Sequence, residues 1–106
     1  TTVSADFQSR RSSISIDTML NHEIKIINRL GLHARAAAKF VKIAGRFSSQ
    51  VKVSRGAKKI NGKSIMGVMM LAAAQGAVIE IVTTGEDEQA ALDALVELVT
   101  DGFGER

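Results

Sequence analysis

The hydrophobic pattern of this chain switches repeatedly between a period of two and a period near 3.6, and few architectures accommodate that alternation within 106 residues. In HEIKIIN, Ile24 and Ile26 alternate with polar residues, which predicts a half-buried strand over 22–28. Ala37, Phe40, Val41 and Ala44 then fall at i, i+3, i+4 and i+7, the apolar stripe of an amphipathic helix over 34–46. SQVKVSR alternates again, with Val51 and Val53 inward, and the turn at Gly56 leads into a short strand, KKIN, ended by Gly62; this predicts a hairpin. Ser64 is a good N-cap for a short helix from Ile65 to Leu71. Gly76 breaks the chain before AVIEIVTT, a strand with Ile79 and Ile81 on one face. Glu86, Asp87 and Glu88 suit the positive end of a last helix carrying Leu92, Leu95, Val96 and Val99, and Gly102 supplies its stop. The order βαββαβα predicts an α+β fold, with three helices on one face of a four-stranded antiparallel sheet.

One domain accounts for this length, and it is expected to run over residues 19–106. Residues 1–18, TTVSADFQSRRSSISIDT, have no sustained period and precede Met19, the expected natural start; they are expected to be a disordered extension or one added in cloning. With no cysteine there is neither a disulfide framework nor a thiolate metal site, which fits a cytoplasmic protein stabilised by packing. The most apolar region, IMGVMMLAAAQGAVIEIV, is interrupted by Gln75, Gly76 and Glu80, so no membrane insertion is expected.

The chemistry concentrates at NRLGLHARAAAKF, residues 28–40, where a helix begins beside His33 with Arg35 two residues on. Histidine is not a favoured cap, so the unpaired N–H groups of Ala34, Arg35 and Ala36 point out of the helix toward it. Such a terminus binds anions and biases the imidazole toward its neutral form, whose free nitrogen can attack phosphorus. Arg35 adds a permanent guanidinium able to pair with phosphoryl oxygens, and Gly31 lets the backbone approach closely. These residues fit a phosphohistidine site, although a surface histidine at a loop end is the commoner outcome of such a pattern.

Arg35, Lys39, Lys42 and Arg46 line one face of the same helix, either a solvated face or a guide for an acidic partner. In the short second helix Val68, Leu71 and Ala72 group toward the sheet, leaving Ile65, Met66 and Met69 as a separate, exposed cluster suited to docking. The net charge of +3 and pI near 9.6 leave a small basic RNA-binding module as the alternative, although aromatic residues for base stacking are only 4% of the chain. GKS at 62–64 does not make a nucleotide-binding loop, because Ala57 stands where that loop needs glycine. His22 and His33 lack further ligands at a recognisable spacing, so no metal site is expected.

GLHAR at 31–35, KSIMGVMML at 63–71 and the βαββαβα order together resemble HPr, the histidine-containing phosphocarrier family of the bacterial phosphoenolpyruvate-dependent phosphotransferase system. The resemblance covers Met19 to about Arg106 and implies an open-faced β-sandwich. It implies a carrier rather than a turnover enzyme, cytoplasmic, monomeric and without cofactor. Nδ1 of His33 would accept a phosphoryl group from phosphorylated enzyme I and pass it to an EIIA-type acceptor protein in sugar uptake or nitrogen-related regulation. Arg35 would assist, and the amides of Ala34, Arg35 and Ala36 would hold the phosphoryl oxygens. Arg35, Lys39, Lys42, Ile65, Met66 and Met69 would contact partners, and Ser64 matches the serine modified by HPr kinase/phosphorylase in many members. Two departures stand out: Ala36 replaces the usual proline, and Leu30 replaces an Asn or Ser. NRLGLH and the ending GFGER look like the nitrogen-related branch, whereas SIMGVM looks like the sugar branch.

Overall fold

The computed structural model describes residues 19–105, so the expected N-terminal extension lies outside the described residues. The elements are β1 (Leu20–Lys25), α1 (Ala34–Ala44), β2 (Gln50–Arg55), β3 (Lys58–Asn61), α2 (Ile65–Met70), β4 (Val78–Thr84), α3 (Glu88–Thr100) and a short 3₁₀ turn (Gly102–Gly104). The sheet has four strands in the order β1-β4-β2-β3, antiparallel throughout. Its register sets Ile24 opposite Ile79 and Val53 opposite Ile81 on the face that the helices cover, where alternation had placed them. The other face carries Asn21, Glu23, Lys52, Ser54 and Glu80, and the fold is the expected open-faced α+β sandwich.

The core joins Phe40 and Ala37 of α1, Val68 of α2, and Leu95 and Val99 of α3 to the inward-facing strand residues. The first strand begins and ends earlier than the 22–28 predicted from alternation. Beyond Lys25 the Ala77 N–H turns to the Ala74 carbonyl and the Gly76 N–H takes the Ile26 carbonyl, so the ladder gives way to a turn although Ile26 stays buried. Helix α1 stops at Ala44 rather than 46 because the Arg46 N–H reaches back only to Ile43, a tighter final turn.

Ala72 is not part of the buried side of the second helix. It is exposed, in the left-handed region at φ 50°, and Ala73 takes the place in the core. Arg55 Nη1 donates to the Leu71 carbonyl at 2.7 Å and Lys58 Nζ to that of Met70 at 2.9 Å, so cations satisfy the negative end of α2. At the opposite end of the fold, Asp87 precedes α3. Its carboxylate accepts from the N–H groups of Ser48 and Ser49, each at 2.9 Å, and from the Ser49 hydroxyl.

The chain does not simply stop at Gly102. Phe103 adopts φ 57° and is buried in the core, which folds the C-terminal residues back over the start of α1. A left-handed non-glycine residue costs about 1–2 kcal/mol. Burying a phenylalanine returns about 1.5–3 kcal/mol, which suffices to hold the bend.

Candidate functional site

The approach to His33 is fixed by a turn built on Asn28. Its side chain is only 4% exposed, and its Nδ2 donates to the Gly31 carbonyl at 2.9 Å and to Glu105 Oε1 at 3.0 Å. Gly31 has φ +67°, and a Cβ there would lie 2.5 Å from the Ala73 carbonyl oxygen, so this glycine is needed for close packing against the Ala73–Ala74 backbone, a different approach from the one expected toward a phosphoryl group. The next residue, Leu32, donates its N–H to that same carbonyl at 2.9 Å and buries its side chain. His33 is therefore delivered to the mouth of α1 by a segment pinned on both sides.

His33 occupies the N-cap position with extended backbone, and its side chain makes no capping bond. Its carbonyl accepts the Ala37 N–H, leaving those of Ala34, Arg35 and Ala36 without helical partners. Ala34 and Arg35 are exposed, whereas Ala36 is fully buried, so the accessible part of the helix end is its first two residues.

The imidazole, 27% exposed, places Nε2 2.6 Å from Glu105 Oε2. The hydrogen bond from Asn28, and then the contact with His33, hold the Glu105 carboxyl below its ordinary range, so it is ionised and can only accept. Nε2 is therefore the nitrogen that donates to the carboxylate, and in the neutral imidazole the lone pair lies on Nδ1. The sequence indicated the helix end but not this carboxylate, which adds negative charge beside the ring.

An open cleft of about 550 Å³ is lined by Arg29, Leu30, His33, Arg35, Lys39 and the Gly104–Glu105 tail. Arg35 thus shares the cleft with His33 as expected, and it makes no hydrogen bond or ion pair with another described residue. Lys39 is tied instead to the tail, donating from Nζ to the Phe103 carbonyl at 2.7 Å. Lys42 is exposed on the same helix.

Helix α2 packs beside α1. Ile65, Met66 and Met69 are 44%, 71% and 39% exposed, while Val68 and Leu71 are fully buried, as the helical angles predicted. Met70, also exposed, extends this patch and was not singled out from the sequence. Ser64 caps the helix, its Oγ accepting the Gly67 N–H at 3.0 Å.

Glu105, Asn28 and Arg29 are the members of the site that sequence reasoning missed. GFG at 102–104, an aromatic residue between two glycines after a helix, hints at a chain reversal, but nothing in it indicates that Glu105 reaches His33. A larger, open hollow of about 960 Å³, lined partly by His22, Ile43 and Arg46, lies along α3 away from this chemistry. Among the described residues no group of three His, Cys, Asp or Glu side chains is placed to hold a metal, and no helix is long and apolar enough to cross a membrane. The RNA-binding alternative is not favoured: Phe40 and Phe103 are buried and Phe47 partly so, which leaves no exposed aromatic platform among the described residues.

Known proteins share this sequence pattern and fold. Residues 20–101 match the family model described as "PTS HPr component phosphorylation site". The phosphocarrier protein HPr of Cupriavidus necator is 55% identical over 87 residues, covering 82% of this chain and 98% of its own. A crystal structure of HPr-C-His from Thermoanaerobacter tengcongensis superposes with a TM-score of 0.80 at 48% identity, covering 82% of this chain and 98% of that one. An HPr dimer from the same organism gives a TM-score of 0.66 at 51% identity, over 77% of this chain and 94% of its own. With GLHAR at the mouth of α1 and this match along the domain, the chain belongs to the HPr family, the phosphocarrier proteins of the phosphotransferase system.

Proposed function

We propose that this phosphocarrier accepts a phosphoryl group on Nδ1 of His33 from phosphorylated enzyme I and passes it to an EIIA-type acceptor protein. The observation that carries the proposal is the engagement of Nε2 by Glu105 at 2.6 Å, which leaves Nδ1 as the nucleophile at an open helix end. In the transfer the Nδ1 lone pair forms the new N–P bond, while the donor's bond to phosphorus breaks and its electron pair stays with the donor. The Nε2 proton remains against Glu105, so the product is a phosphoimidazolium paired with a carboxylate. In the second transfer the acceptor's nucleophile attacks phosphorus, the N–P bond breaks, and neutral imidazole leaves with the electron pair on Nδ1, which reverses the same steps.

Arg35 supplies a guanidinium to the phosphoryl oxygens, and the N–H groups at Ala34, Arg35 and Ala36 add the helix end. Ile65, Met66 and Met69, flanked by Arg35, Lys39 and Lys42, form an apolar docking surface with a basic margin, complementary to acidic partners. A phosphate on Ser64, added by an HPr kinase/phosphorylase, would sit at the rim of this patch and oppose an acidic partner. His33, Arg35 and Glu105 share one cleft of a single chain, which supports a monomer as the acting form, and the carrier role fits a cytoplasmic location. The branch served, sugar or nitrogen, follows from which enzyme I is the faster donor.

The test is intact mass after incubation with phosphoenolpyruvate and, separately, the sugar-branch and nitrogen-branch forms of enzyme I. A gain of one phosphate that is acid-labile and absent in His33→Ala is the expected result. Retention of transfer by His33→Ala would contradict the mechanism.

A further inference from the structure

Arg29 has no part in the scheme above, yet the turn before His33 displays it in the same cleft. That turn is rigid: the Gly31 N–H returns to the Asn28 carbonyl at 3.2 Å, and the buried Asn28 amide closes it from the other side at 2.9 Å. Arg29 is at its corner, exposed, and without a hydrogen bond or ion pair to any described residue. The other charges lining the cleft are already engaged, Lys39 by the Phe103 carbonyl and Glu105 by Asn28 and His33, apart from Arg35. Two uncommitted arginines thus line the cleft that holds the imidazole, one from the incoming turn and one from the first turn of α1. A phosphoryl group on nitrogen brings up to two negative charges and three acceptor oxygens, enough to engage a second guanidinium beside Arg35 and the helix end.

We propose that Arg29 is a second phosphoryl-binding residue, which closes with Arg35 a two-guanidinium clamp over the group carried by His33. The proposal rests on the phosphocarrier mechanism given above and adds a residue to it. Arg29 touches the phosphorylated form and not the transfer partner, so its contribution appears in the stability of phospho-His33 itself.

An equilibrium separates that role from partner docking. With a trace of enzyme I as catalyst, the ratio of phosphorylated to free chain at a fixed phosphoenolpyruvate to pyruvate ratio depends only on those two forms, since a catalyst cannot move an equilibrium. Arg29→Ala should lower this constant by about three- to tenfold, the size of a partly exposed charged hydrogen bond. Arg29→Lys should recover part of the loss, and the unphosphorylated variants should melt as the wild type does. In ¹H–¹⁵N spectra the Arg29 Nε–H signal should shift on phosphorylation while that of Arg46, at the far end of the basic stripe, stays in place. An unchanged constant in Arg29→Ala overturns the clamp, even if the rate with enzyme I falls, because a rate effect alone marks docking. A wild type that takes up no phosphate overturns the carrier mechanism and the clamp together, so the two failures are distinct.

Discussion

Helices α1 and α2 pack side by side, yet their entrances are built for different ends. Ser64 spends its hydroxyl on the Gly67 N–H at 3.0 Å, which closes the start of α2 internally. His33 stands at the same position of α1 and gives its helix no side-chain bond at all, turning its ring to Glu105 instead. Stability alone would have favoured a capping residue at both places. An uncapped helix end, approached by a pinned turn and opening on a cleft lined by Arg29 and Arg35, has the features that the proposed phosphoryl transfer requires. On the proposed mechanism, the contrast separates a residue that serves the fold from one that serves the chemistry.

The contrast breaks most completely with His33→Ala. Transfer should vanish while stability changes by less than about 1 kcal/mol, because only one side-chain contact is lost; phosphorylation assays and urea melts read the two effects separately. Gly31→Ala attacks the pinned turn, since the new Cβ meets the Ala73 carbonyl at 2.5 Å and the backbone stays left-handed. A loss of about 2 kcal/mol or more is expected in a urea melt. Glu105→Ala should leave the fold in place and free the Nε2 proton. Both neutral tautomers should then appear in ¹⁵N spectra, and transfer should slow by roughly three- to tenfold, corresponding to about 1 kcal/mol of lost orientation.

Ser64→Ala sharpens the comparison from the other side, costing about 1 kcal/mol of stability with phosphorylation of His33 retained. The third helix supplies the smallest effect. The Ser49 hydroxyl, with the Ser48 and Ser49 N–H groups, lowers the Asp87 carboxyl from its ordinary 3.8 to about 2. A carboxyl depressed in the folded state stabilises above its unfolded value, so this contribution is intact above pH 4 and disappears as the pH falls from about 4 toward 2. Asp87→Asn should flatten that part of the stability profile in acid melts and leave the neutral region with a small uniform loss.

The strands, the helices and the open face were legible because their apolar periods survive into the core: Val51 and Val53, Ile79 and Ile81, and Phe40 with Ala37 all pack where their spacing placed them. His33, Arg35 and the Ile65–Met66–Met69 patch were legible from motif and helical angle. Glu105 was not, because its approach depends on a single left-handed phenylalanine and a lysine on another helix, contacts separated by 64 and 72 residues that no local period records. Ala72 was misplaced for a related reason: a helical projection assumes the helix continues, and this one ends a residue earlier, with the chain turning left-handed.

The account depends most on which ring nitrogen is left to react. The direct measurement is ¹⁵N and ³¹P NMR of the phosphorylated chain with labelled histidine, reading which nitrogen is coupled to phosphorus. Coupling to Nδ1 of His33, with Nε2 still carrying its proton against Glu105, is the predicted result. Phosphorus on Nε2, the atom the carboxylate holds at 2.6 Å, would contradict the account.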